Sequence, residues 1–133
     1  MEFIVEGKVQ GKARPRVTMR GGHARAYTPQ KTKDYEGMIR YAYLAAGGKM
    51  LDGPVMVAVE TFRSLPKSRP KKIESEPDVY KPDGDNVLKA VLDALNGVAY
   101  EDDSQVVMLS IIKWPRTRCD EHIRVHVEKV KQK

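Results

Sequence analysis

Apolar positions alternate or recur at helical spacing in a few stretches, and these set the expected elements. Phe3, Val5 and Val9 approximate a period of two, so residues 2–9 read as a first strand. Residues 11–27 keep no period and contain Gly11, Pro15 and Gly21-Gly22, which marks a loop or arm with a hairpin at the glycine pair. Tyr35, Met38, Ile39, Ala42, Tyr43 and Ala46 share one face of a helix that Thr28-Pro29 or Thr32 would open and Gly47-Gly48 would stop. Val55 to Phe62 is rich in β-branched residues and reads as a second strand.

The connection 63–82 is Pro-rich and long for a compact domain, as functional or disordered loops are. Asp85 then precedes the strongest helical pattern of the chain, Val87, Leu88, Val91, Leu92 and Leu95, ended by Asn96-Gly97. Gln105 to Trp114 and His122 to Val130 are strand runs, which Pro115 to Glu121 would join as a C-terminal hairpin. The expected order is β-α-β-α-β-β. That is an α/β (α+β) domain, a small mixed sheet with two main helices packed on it, and 133 residues suit one such domain over 1–133.

Charge changes the picture. The net charge of +6 is unevenly spread: Lys8, Lys12, Arg14, Arg16, Arg20, Arg25, Lys31 and Lys33 follow one another with no acid between Glu6 and Asp34. A second basic run is Arg63, Lys67, Arg69, Lys71 and Lys72, after which nine acids from Glu74 to Asp103 face only Lys81 and Lys89. Basic flanks around an acidic centre suit a metal-dependent enzyme acting on a polyanion, and they equally describe solvated faces that keep a chain soluble. Cys119 has no partner for a disulfide and no neighbours at zinc-finger spacing. No stretch approaches a membrane span, and the chain opens on a strand pattern rather than a signal peptide, so a cytoplasmic location is expected.

The candidate chemistry lies in Lys81-Pro82-Asp83-Gly84-Asp85-Asn86 and in Tyr100-Glu101-Asp102-Asp103-Ser104-Gln105. Asp83 and Asp85 are two apart in an extended approach, which turns both carboxylates one way and makes a hard-cation site. Asp85 also stands where a helix N-cap is expected, a role that needs no metal. Asp102 and Asp103 join the first pair if the chain folds back within 96–100 after the helix. Asp85, Lys89 and Asp93 form an i, i+4, i+8 row that an ion-pair ladder would also produce. An EF-hand fails on ligand positions, and neither a P-loop nor a nucleophile elbow is present. His23, His122 and His126 read as structural or solvated, and Trp114 as a core-edge or interface aromatic.

The run Lys81-Pro82-Asp83-x-Asp85-Asn86-x-x-Lys89-x-x-x-Asp93-x-Leu95-Asn96-Gly97, followed by Tyr100-x-Asp102-Asp103-Ser104-Gln105-Val106, closely resembles the RusA-type Holliday junction resolvases. Gly11-Lys12-x-Arg14-Pro15-Arg16 and Tyr27-Thr28-Pro29 look like the opening of the Gram-positive and phage-borne members. The resemblance implies a homodimeric endonuclease that makes paired nicks across four-way DNA junctions in recombination and repair. It uses Mg²⁺, with Mn²⁺ able to substitute. By position, Asp83, Asp85 and Asp103 are the essential carboxylates, Asp102 a further ligand or orienting group, and Lys89 a catalytic lysine. Lys12, Arg14, Arg16, Lys67, Arg69, Lys71, Lys72 and Asn86 are then expected on DNA. The competing readings are a non-catalytic nucleic-acid-binding module and a domain whose metal is structural.

Overall fold

The computed structural model describes residues 1–13 and 15–131, with position 20 described in its backbone only. Along the chain come β1 (Glu2–Glu6), β2 (Arg16–Arg20), β3 (His23–Tyr27), α1 (Gln30–Ala45), β4 (Val55–Phe62), β5 (Ser75–Glu76), α2 (Gly84–Leu95), β6 (Val106–Lys113), β7 (Arg116–Thr117) and β8 (His122–Lys129). The main sheet has the order β1-β8-β4-β6. β8 runs antiparallel to both β1 and β4, and β6 runs parallel to β4, so the sheet is mixed, with two helices packed on it.

The C-terminal hairpin expected from residues 105–130 is not what forms. β6 and β8 never pair with each other; β4 lies between them and takes both. The physical reason is that β4-α2-β6 closes as a parallel crossover, for which α2 supplies the long connection that parallel strands need.

Period-two burial on β4 and β8 sends Val55, Val57, Val59, Ile123 and Val125 to one face, where Ile39 and Tyr43 of α1 meet Val87, Val91 and Leu95 of α2. Arg40 ties the helices together by donating to the Ala94 carbonyl at 3.1 Å. On α1 the core stripe is Thr32, Tyr35, Ile39 and Tyr43, while Met38 and Ala46, placed on that face by the sequence pattern, are exposed. No side chain caps α1; the carbonyl of Pro29 accepts from Thr32 and Lys33 instead.

The 63–82 connection is anchored rather than loose. β5 pairs with β7, and Arg118 donates from Nη2 to the carbonyls of Pro70 and Ile73 at 3.0 Å each. Among the described residues no helix is long and apolar enough to cross a membrane.

Candidate active site

The start of α2 is built on a tight contact. A Cβ on Gly84 would come within 3.4 Å of Ile111 Cγ1, so the bare glycine lets the first turn sit directly on the end of β6. Asp83, not Asp85, occupies the N-cap, with extended dihedrals (φ −66°, ψ 148°), and its carboxylate makes no capping bond. Asp85 lies inside the first helical turn, where the helix dipole favours an anion. The two carboxylates are therefore not on one side of an extended segment, because helix formation begins at Gly84 between them. Asp83, Asp85 and Asn86 are all exposed.

The basic arm crosses this turn. Lys12 N–H donates to the Asn86 carbonyl at 2.9 Å, and a Cβ on Gly11 would lie 3.0 Å from the Cβ atoms of both Pro82 and Asn86. Beneath the crossing is a cavity of about 420 Å³ in which Lys8, Lys12, Arg63 and Lys81 meet Asp83 and Asn86. Four cations thus stand beside one carboxylate, a lining that is net positive.

Two of these cations are already committed. The Lys12 ammonium lies 2.8 Å from Glu36 and 3.0 Å from Asp93, with 16% of its side chain exposed. Burial lowers its pKa, but the bonds to both carboxylates outweigh burial and hold it above the ordinary lysine value. Its ammonium thereby pins the arm to α1 and α2, a use the basic run did not announce. Arg63, buried beneath the cavity, donates from Nη1 to Asp78 at 3.1 Å and stands 3.9 Å from Glu121. Burial raises the Glu121 carboxyl, yet hydrogen bonds from Val9 and Ser64 bring it below the usual range.

Lys12→Met leaves Glu36 and Asp93 without their common cation, so we expect about 1 to 3 kcal/mol of lost stability, read as a lower midpoint in urea. DNA affinity and its salt slope should change little. An unaltered midpoint would show that the arm is held by its backbone bond alone.

The second acidic pair is at the other end of α2. Asp102 accepts from the Ser104 hydroxyl at 2.7 Å, and Asp103 begins a 3₁₀ turn over Asp103–Gln105. Gln105 organises this turn: its Oε1 accepts from the Glu101 and Asp102 amides, and its Nε2 donates to the carbonyls of Leu51 and Gly53, at 3.1 and 2.9 Å. Tyr100, whose hydroxyl donates to the Leu92 carbonyl, has its pKa raised by burial first and then by the charges of Asp103 and Asp93.

The chain does turn at 96–100, where the Gly97 amide donates to the Tyr100 carbonyl at 2.7 Å, but among the described residues the turn does not gather the aspartates into one group. α2 spans about 18 Å, and Asp83 and Asp103 flank its two ends. Among the described residues, no three His, Cys, Asp or Glu side chains come together closely enough to hold a metal.

Lys89 is exposed on the same helical row as Asp85. The expected ladder is not made, since Asp93 is paired with Lys12 and no salt bridge to Lys89 occurs among the described residues. Lys67, Lys71 and Lys72 are exposed on the central connection, while Arg69 is held by Glu76 at 3.0 Å. Arg16 is exposed at the start of β2; Arg14 lies outside the described residues. Arg63, Asp78 and Glu121 were not singled out from the sequence as site residues. Gln105, which stood in the motif run, lies three residues after Asp102, the spacing of the capping box it forms.

Residues 6–128 match the family described as Endodeoxyribonuclease RusA, and the chain belongs to that family. It is also similar to a protein of Bacillus subtilis (strain 168) described as "Uncharacterized protein YqaN", at 36% identity over 126 residues, covering 86% of this chain and 87% of that one.

Proposed function

We propose that the protein is a homodimeric, Mg²⁺-dependent endodeoxyribonuclease that resolves four-way DNA junctions by paired nicks in recombination and repair, each active site being assembled from two protomers. One observation carries this reading. The motif aspartates lie at opposite ends of α2 while β6, which runs alongside that helix, is a free edge of the sheet.

Val107, Met108, Leu109 and Ile112 on that edge are about half exposed. A long apolar edge strand is a template for another strand, and its own copy is the simplest cover. Antiparallel pairing of β6 with the partner's β6, about a twofold axis between Leu109 and Ser110, sets Val106 beside the partner's Lys113. Ile111 and Lys113 lie against the start of α2. Asp102 and Asp103 of each chain thereby reach Asp83 and Asp85 of the other. Two such sites fall about 23 Å apart, the length of an eight-residue strand, on a twofold that matches a four-way junction.

The donor set fits a hard divalent cation. Asp83, Asp85 and Asp103 make no ion pair and no side-chain hydrogen bond among the described residues, so three exposed carboxylates are uncommitted. Oxygen-only ligands of this kind suit Mg²⁺, with Mn²⁺ a substitute. Bound there, the metal supplies an activated water and neutralises the phosphate. The chain's own groups do the rest: Asp102, oriented by Ser104, steadies the set, Lys89 offsets charge growing on the phosphoryl oxygens, and Asn86 and Lys81 bind the flanking backbone. Lys67, Lys71, Lys72 and Arg16 supply phosphate contacts further out.

The test is incubation of the protein with a synthetic four-way junction and with linear duplex, with Mg²⁺ and with EDTA. Paired nicks in the junction alone, and only with metal, are expected. Steeply salt-dependent binding without product would instead mark a non-catalytic binding module. The interface has its own test. Charging the edge with Met108→Lys and Leu109→Lys should halve the sedimenting mass and abolish nicking while leaving the fold intact; a dimer that survives both charges would place the interface elsewhere.

A further inference from the structure

We propose that the β2–β3 ribbon is a two-faced probe of DNA branch points, whose cationic face lies on backbone phosphates and whose apolar face contacts bases left unstacked at the branch. This rests on the reading of the protein as a nuclease of branched DNA. In the β2–β3 register Arg16 opposes Tyr27, Val17 opposes Ala26, Thr18 opposes Arg25 and Met19 opposes Ala24. Residues opposite one another share a face and successive pairs alternate. One face therefore carries Arg16, Arg25 and Tyr27, and the other Val17, Met19, Ala24 and Ala26.

Among the described residues nothing buries the apolar face. Val17 and Met19 are each 67% exposed, and every residue of β3 is exposed. Two large apolar side chains on an unburied ribbon have no stabilising role in the fold, since leaving them in water forfeits the transfer energy that core packing would give. The occupant is set by charge. No acid occurs between Glu6 and Asp34, so the opposite face attracts a polyanion and repels nothing in it.

The ribbon also springs from the site. Arg16 and Pro29 at its base share a cavity of about 280 Å³ with Gly11 and Pro82, and Gly11 and Pro82 line the cavity of Asp83 as well. Five residues per strand carry the tip about 17 Å outward. In a straight duplex every base is stacked, and the ribbon finds phosphates only. At a branch the stacking is interrupted, and methionine and valine, like other apolar wedges, gain bases to cover. The ribbon thus supplies preference for branched DNA, a property separate from the chemistry at the aspartates.

Binding is measured in EDTA, where no strand is cut, to a four-way junction carrying 2-aminopurine at the crossover and to linear duplex of the same sequence. For the wild type, tighter binding to the junction and a rise in 2-aminopurine fluorescence are expected. Val17→Ser with Met19→Ser should weaken junction binding about tenfold, the low end of what contacts to unstacked bases contribute, and remove the fluorescence rise. Duplex binding should stay within about twofold. Arg16→Gln with Arg25→Gln should weaken both substrates alike and reduce the salt slope by about two. Both pairs lie outside the core, so melting temperatures should match the wild type. Equal losses on junction and duplex for the serine pair, no loss at all, or a fall in its sedimenting mass would overturn the proposal, the last because a second copy would then be covering the apolar face. A wild type that prefers junctions and shows the fluorescence rise but never nicks with Mg²⁺ would remove the nuclease reading and leave the ribbon's role standing. A wild type that nicks without preferring junctions would do the reverse.

Discussion

Asp83→Asn protein and Asp103→Asn protein, each inert alone, should recover nicking when mixed and allowed to exchange subunits. In a composite site, Asp83 and Asp85 of one chain act with Asp102 and Asp103 of the other. A dimer of one Asp83→Asn and one Asp103→Asn chain then has both substitutions in one site and none in its twin. About half of randomly exchanged dimers are mixed and each keeps one site of two, so activity near a quarter of wild type is expected. The product should change as well: one good site gives a singly nicked junction rather than two resolved duplexes. If all four aspartates acted within one chain, every site in every mixed dimer would carry a defect and the mixture would stay as dead as its parts. The separate variants should each lose nicking by at least about a hundredfold, because removing a ligand charge disables the metal, yet keep or improve junction binding by reducing repulsion toward DNA. Strand cleavage on a denaturing gel after subunit exchange reads all of these. Nicking by either variant alone at near wild-type rate would take that aspartate out of the site.

The relation between the aspartate pairs was the part least legible in the sequence, and the reason lies in the fold. α2 was plain from Val87, Leu88, Val91, Leu92 and Leu95, all of which fall within Gly84–Leu95. The strand runs were plain too, as were the glycines of the ribbon turn. What periodicity does not state is which strands pair. Taking β6 and β8 as a hairpin left the start of β6 free to lie beside Asp83. Once β6 is parallel to β4, α2 runs back along the sheet and β6 starts at the far end, so Asp103 follows the end of α2 remote from Asp83. The C-terminal hairpin was the error, since β4 lies between β6 and β8. Lys12 shows a second limit: a basic run reads as phosphate-binding until Glu36 and Asp93, remote in sequence, are found on its ammonium. Gly84 stood in the candidate run between the aspartates, and its use is the close approach of α2 to Ile111.

Lys89→Met should slow single-turnover cleavage by about a hundred- to a thousandfold, the 2.7 to 4 kcal/mol that a group stabilising transition-state charge supplies. The competing account of Lys89 was a rung between Asp85 and Asp93, in which its loss would cost about 0.3 to 0.5 kcal/mol of stability and almost no rate. The structure weakens that account at one end, because Asp93 is drawn to Lys12 at 3.0 Å. Lys89 is left exposed one turn beyond Asp85, on the side of α2 opposite its buried stripe. A cation there, free of a committed carboxylate, faces whatever binds at the start of the helix. Its contribution to affinity should be small, since one lysine among many phosphate contacts shifts the salt slope by only about one. Rate and affinity therefore separate, and that separation is what distinguishes catalysis from binding. The measurement is cleavage at saturating protein, with thermal melting alongside to show that the fold is unchanged. A rate within about threefold of wild type would leave Lys89 a surface residue and place the charge-offsetting role on Lys81 or Lys8 in the neighbouring cavity.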